Sequence, residues 1–245
     1  MGDRVNKIIY KATSRGIANH GWLQSHHTFS FANYYNPERM GFGVLRVIND
    51  DIVSPSMGFG THPHQNMEIV SIPLEGSLKH KDTIGNEHII SRGEIQVMSA
   101  GTGLRHSEYN NSNAEEVNFL QIWILPKKTD IEPSYSQKKF DKKLRQNEIQ
   151  LIVSPDARDG SVKINQDAYF SLVDLDSDKE IFYNKYNNQN GVYIKVLSGL
   201  SEVENEHLGA RDALGVDGGE SLKIFAKEKS EVLIMEVPLE NREEV

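Results

Sequence analysis

"FGTHPHQNMEIVSIPLEG", residues 59–76, sets two histidines one residue apart at the head of an apolar, β-branched run that glycine closes. On a strand, side chains at i and i+2 share a face, so His62 and His64 aim at one spot. By itself such a pair is a weak signal, since two surface histidines beside a proline turn look the same. "AGTGLRHSEYN", residues 100–110, repeats the device with His106 and Glu108 after a glycine-rich turn. Three imidazoles and one carboxylate suit a divalent first-row ion such as Fe, Ni, Co or Zn and do not suit calcium, which takes oxygen ligands. Four protein ligands leave positions open on a five- or six-coordinate ion, as a substrate or dioxygen needs. Glu68 competes for the carboxylate role, because parity sets it on the face of His62 and His64. Along a straight strand, however, it lies ~13 Å away, whereas Glu108 is ~6.6 Å from His106.

The rest of the chain narrows the setting. Its 245 residues can bury a full core without staples. There is no cysteine, which excludes disulfides, thiolate metal sites and a thiol nucleophile. The net charge of −8 argues against a nucleic-acid partner. No apolar stretch approaches the ~20 residues that span a bilayer, and the N-terminus lacks an apolar signal core. A cytoplasmic protein without a membrane partner is expected.

Short β-branched runs recur between Gly, Asn, Asp and Pro, among them "GVLRVIND", "VNFLQIWILP", "VYIKVLSG" and "EVLIMEVP". That rhythm predicts an all-β sandwich or barrel. "KKTDIEPSYSQKKFDKKLRQNE" interrupts it with a polar, lysine-rich stretch. The expected division is a metal-binding domain over 1–126, a linker over 127–148 with a solvated lysine face, and a second β domain over 149–245. The second domain holds one histidine, His207, so it offers no equivalent site and is expected to be structural. His26 and His27, beside aromatics, are expected to pack or face solvent. His20, His80 and His88 have no evident partner. Trp123, Phe59 and Met98 are expected to fill barrel or pocket walls.

Two motifs of this kind resemble those of the cupin superfamily. "HGWLQSHHTFSFANYYNP", "GFGTHPHQNMEIVSIPLEGSLKHKD" and "MSAGTGLRHSEYN" further resemble the pirin family, and most of all its bacterial quercetin 2,3-dioxygenase-like members. The likeness extends through "QIWILP", "SPDARDGSVKINQDAYF" and "SEVLIMEVPL", and so over nearly the whole chain. It implies an all-β bicupin of two tandem antiparallel β-barrels, with one metal in the first. It also implies His62, His64, His106 and Glu108 as ligands, with Glu68 left to a supporting or structural role. The cofactor expected is one divalent transition metal, Fe(II) first, with Ni, Co, Zn, Mn or Cu as alternatives. The expected reaction is oxidative ring cleavage of a quercetin-like flavonol, or another enol, by O2 with release of CO. Glu108 would take the hydroxyl proton as catalytic base, within a monomer. The family's other known role is an iron-dependent, redox-sensing partner of transcription factors, which the same ligands would serve.

Overall fold

The computed structural model describes residues 5–240, and their contacts divide them into two compact units. Strands dominate both, and the helical pieces among the described residues are 3₁₀ turns at Ala12–Ser14, Lys142–Arg145 and Arg158–Gly160.

One unit comprises Gly16–Phe140 with Val162–Gln166. Its larger antiparallel sheet has seven strands, in the order Ser134–Lys139, Glu94–Ser99, Glu68–Glu75, Val117–Ile124, Leu45–Val53, Leu23–His27 and Gly16–Asn19. Its smaller sheet runs Gly58–His64, Leu104–Asn110, Ser77–Asp82 and Glu87–Ser91. Leu23, Val53, Val117 and Phe119 of the first sheet pack with Leu78 and Ile90 of the second, so the two sheets face each other and close one end of a barrel.

Register explains what lies inside. Residues opposite one another on neighbouring strands share a face. Gln96, Ser71, Gln121, Asn49 and His27 are paired in that order across five strands and form a buried polar row. Two residues along, Met98, Ile69, Trp123 and Val47 form an apolar row on one side. On the other side lies the row Pro73, Phe119, Asp51 and Ser25. The barrel interior is thus layered, with a polar stratum between an apolar row and a row that mixes Pro73 and Phe119 with Asp51 and Ser25.

The other unit comprises residues 5–15, Asp141–Ser161 and Asp167–Glu240. Asn6–Tyr10 pairs with Ala213–Asp217, and the sheet continues through Asn190–Ser198, Ser230–Pro238, Tyr169–Leu175 and Gln150–Ser154. A four-stranded sheet, ordered Glu180–Asn184, Ser221–Ala226, Ser201–Val203 and Glu206–Leu208, completes it. Val173, Tyr183, Ile194, Leu214, Ile224 and Ile234 belong to a dry core.

The boundaries differ from the sequence-based division at two places. Residues expected to open the first domain, Asn6–Tyr10, form an edge strand of the second barrel. The stretch 127–148 is not linker throughout, because Ser134–Lys139 pairs along Glu94–Ser99. Its burial alternates only weakly, as an edge strand with polar residues on both faces must, and this hid it from a reading of hydrophobic pattern.

Phe119 is fully buried at the closed end of the barrel. Replacing it by Ala is expected to cost about 3–5 kcal/mol of stability through the cavity left behind, read as a lower urea midpoint with an unchanged slope.

Candidate metal centre

The smaller sheet of the first barrel carries the site. Gly58–His64 and Leu104–Asn110 run antiparallel with His62 opposite His106, and the register shifts by a bulge between His106 and Glu108. Alternation along each strand and the pairing of His62 with His106 turn three rings to one point. The ring centroids of His62 and His64 are 4.9 Å apart, those of His62 and His106 4.5 Å, and those of His64 and His106 4.8 Å. One nitrogen from each of the three lies within 4.8 Å of the others.

The hydrogen bonding says what these nitrogens are for. His62 Nδ1 lies 2.8 Å from the Gly60 carbonyl, which can only accept, so this nitrogen carries the proton and Nε2 is a free lone pair. His64 Nε2 and both nitrogens of His106 are buried with no hydrogen-bond partner. Each such orphan costs about 1–3 kcal/mol. Burial, then the neighbouring imidazoles, pushes His64 and His106 down to about 3, so both are neutral, the state that ligation needs. The donor set therefore fits a divalent ion, which would partner the orphaned nitrogens.

Glu108 enters from the same strand, fully enclosed. Its Oε2 accepts from Gln121 Nε2 at 2.7 Å, and its Oε1 lies 3.2 Å from Ser71 Oγ. Both neighbours come from the polar row of the opposite sheet. Burial raises the pKa of Glu108, against the lowering effect of His80, His62 and the two hydrogen bonds. Glu108 groups with His106 and His80, their ligand atoms also within 4.8 Å of one another.

His80 and Asp82 were not assigned from sequence. His80 stands opposite Glu108 and Asp82 opposite His106 on the adjacent strand. His80 is fully buried, its Nε2 is 3.1 Å from Asp82 Oδ2, and its ring packs on His106 and Tyr135. The signal was present in "SLKHKD", where Leu78, His80 and Asp82 alternate inward on Ser77–Asp82. Lysines between them disguised the run as a solvated face. His88 likewise has a partner, stacking on Tyr135 at 5.2 Å.

Glu68 lies in neither group. It accepts from Ser99 Oγ at 2.6 Å and from the Asn165 backbone N–H at 3.0 Å. Trp123 packs edge-on against His64 and Phe31. Met98 sits in the core with Ile69, Ala100 and Leu104. His207 in the other unit is exposed and lies 3.4 Å from Glu202, and both three-residue groups found among the described residues lie in the first barrel. A cavity of about 730 Å³ opens beside the centre, within the ~300–1,000 Å³ usual for small-molecule sites. Its walls include Leu23, Phe31, Phe59, Met67 and Trp123.

Two cupin barrels, one of them with an inward cluster of histidines and glutamate beside a largely apolar cavity, define a bicupin with a candidate metal centre. The comparisons agree on the class. Residues 10–124 match the Pirin family and residues 151–237 match the quercetinase C-terminal cupin domain. The chain is 46% identical over 233 residues to a quercetin 2,3-dioxygenase of Escherichia coli K12, covering 94% of this chain and 99% of that one. It is 37% identical to a pirin-like protein of Caulobacter vibrioides, covering 90% and 95%. The structure of the bacterial pirin YhhW of E. coli in complex with nickel(II) superposes with a TM-score of 0.90 at 44% identity, covering 95% and 99%. The chain belongs to the pirin family.

Gly58 lets the two ligand strands approach. A Cβ there would lie 2.3 Å from the Glu108 carbonyl oxygen and 2.5 Å from Tyr109 Cα. Gly58→Ala is therefore expected to part the strands and weaken metal binding about 10-fold, the scale of losing a ligand's support, with every ligand still present. The double variant His62→Ala, His64→Ala is expected to lose the ion while remaining folded. Elemental analysis and circular dichroism on both proteins, against wild type, check these outcomes.

Proposed function

We propose that the protein is a metal-dependent dioxygenase that opens the heterocyclic ring of a quercetin-like flavonol. Dioxygen adds across that ring, both of its atoms are retained in the ring-opened ester, and C3 leaves as carbon monoxide. The observation that carries the reading is the three-imidazole cluster, two of its rings with orphaned nitrogens, beside a largely apolar cavity that His62, His64 and Glu108 line and that is large enough for a flat aromatic substrate. The quercetin 2,3-dioxygenase of E. coli, alike over almost its whole length, supports it.

His62, His64, His106 and Glu108 would hold one divalent ion. Fe(II) is our assignment, and nickel(II), present in the E. coli pirin structure, is the ion to compare it with. Such an ion acidifies a coordinated hydroxyl and acts as a Lewis acid. Leu23, Phe59 and Trp123 would clasp the flat rings and exclude water. Glu108 would receive the 3-hydroxyl proton at Oε1. The Ser71 hydroxyl has a single proton and lies 2.6 Å from Gln121 Oε1 but 3.2 Å from Glu108 Oε1. Gln121 takes that proton, leaving Oε1 the less satisfied oxygen and the acceptor. A carboxyl raised by burial is closer in pKa to its task than an exposed one.

The direct test is aerobic and anaerobic loss of quercetin absorbance by metal-loaded protein, with haemoglobin to trap CO. No oxygen-dependent loss by fully loaded protein would refute the function. For the base, Glu108→Gln with restored metal is expected to lose ~10²–10⁴-fold in turnover, partly recovered as rising pH lets solvent deprotonate the flavonol. Glu68→Gln, outside the cluster, is expected to keep most activity. Near-normal rates for metal-saturated Glu108→Gln would remove the base role.

A further inference from the structure

Asp51 is a buried carboxyl that neither metal binding nor proton removal uses. It lies on Leu45–Val53, where "RVINDDIV" alternates Val47, Asn49, Asp51 and Val53 onto the inner face. It is 4% exposed, and no cation pairs with it among the described residues. Such a group costs free energy and would be replaced by a hydrophobe if packing alone mattered. Its Oδ1 takes a short hydrogen bond from Ser25 Oγ. Its Oδ2 has no hydrogen-bond partner among the described residues, and the side chain lines the cavity. Burial foremost, with Asp50 and Glu108 adding to it and Ser25 opposing, raises its pKa to about 7.

His27 stands beside it on the neighbouring strand. Its Nδ1 lies 2.8 Å from Asn49 Oδ1 and 3.3 Å from Ser25 Oγ. With Nδ1 donating to Asn49, Nε2 is a lone pair. Burial lowers the pKa of this ring, which favours the neutral form. This end of the cavity therefore shows two acceptors, Asp51 Oδ2 and His27 Nε2, among apolar walls. Acceptors call for donors. The strand register sets Asp51 one step, ~6.6 Å, beyond the Gln121–Asn49 row that meets Glu108.

From this juxtaposition we infer that Asp51, braced by Ser25 beside His27, is the recognition site for a phenolic hydroxyl on a ring of the substrate other than the one oxidised. The inference rests on the flavonol reading and narrows it to polyhydroxylated flavonols.

The test compares two ligands that share the 3-hydroxyl enol: quercetin, and 3-hydroxyflavone, which has no other hydroxyl. Binding to metal-loaded protein is measured without oxygen by titration calorimetry. Wild type is expected to favour quercetin, and Asp51→Asn to lower the quercetin-to-3-hydroxyflavone affinity ratio about 10-fold, the scale of a hydrogen bond to a charged group. An unchanged ratio overturns the assignment, whether both affinities fall together or neither falls. A crystal structure of the wild-type quercetin complex decides the matter even if the variant does not fold. A ring hydroxyl within about 3.2 Å of Asp51 Oδ2 supports the assignment, and a quercetin with no oxygen there overturns it. Wild type that binds both ligands with this preference but oxidises neither refutes the dioxygenase and leaves the recognition role standing. Wild type that binds neither refutes both.

Discussion

A carboxylate cannot be buried without donors, and the first barrel is arranged around that requirement for Glu108. Gln121 donates to it at 2.7 Å, and Ser71, opposite Gln121 in register, lies 3.2 Å from its other oxygen and gives its proton to Gln121. Their row continues as a buried polar line through Gln96 on one side and Asn49 and His27 on the other, with His27 Nδ1 bonded to Asn49 Oδ1. Ile69, Met98 and Trp123 flank the stratum on one side, and Phe119 with Asp51 on the other. Leu23, Val53, Val117 and Phe119 close one end, and Ile69, Met98 and Trp123 line the other. The site is thus a consequence of layering: one polar stratum from the larger sheet meets one cluster from the smaller.

The smaller sheet contributes the geometric half. Strand alternation alone would set His106 and Glu108 on one face at equal depth. The extra residue lies in Gly58–His64, so the opposing residue changes from His62 to Phe59 while Leu104–Asn110 keeps its register with Ser77–Asp82. His106 packs against His62 and His64, while Glu108 meets the polar row.

What the sequence disclosed follows from where its signals lie. H-x-H before an apolar run and H-x-E after a glycine turn are short-range patterns, and strand parity reads them directly. The all-β architecture is legible for the same reason, through repeated β-branched runs. Contacts that depend on register between distant strands are not legible this way. His80 is a partner of Glu108 only because Ser77–Asp82 lies beside Leu104–Asn110, and Asp51 meets Ser25 only through the pairing of their strands. Asn6–Tyr10 shows the same limit at the scale of domains. Nothing local tells a strand at the start of the chain to pair with Ala213–Asp217.

The second barrel supplies the contrast that gives the first its meaning. It too buries a carboxylate, Glu236, with no exposure at all. Tyr183 Oη, the backbone N–H groups of Tyr186 and Asn187, and Asn190 Nδ2 donate to it at 2.8–3.0 Å. Both oxygens are satisfied by the protein, so nothing further is required, and the group acts as a tie between strand and loop. In the first barrel the polar atoms are left incomplete. His64 Nε2 and both nitrogens of His106 are buried without a partner, and the Asp51 side chain lines the cavity. Each buried orphan costs about 1–3 kcal/mol, a cost that a cation held by one nitrogen of each ring would reduce. The imidazoles call for a cation, and Asp51 calls for a hydroxyl.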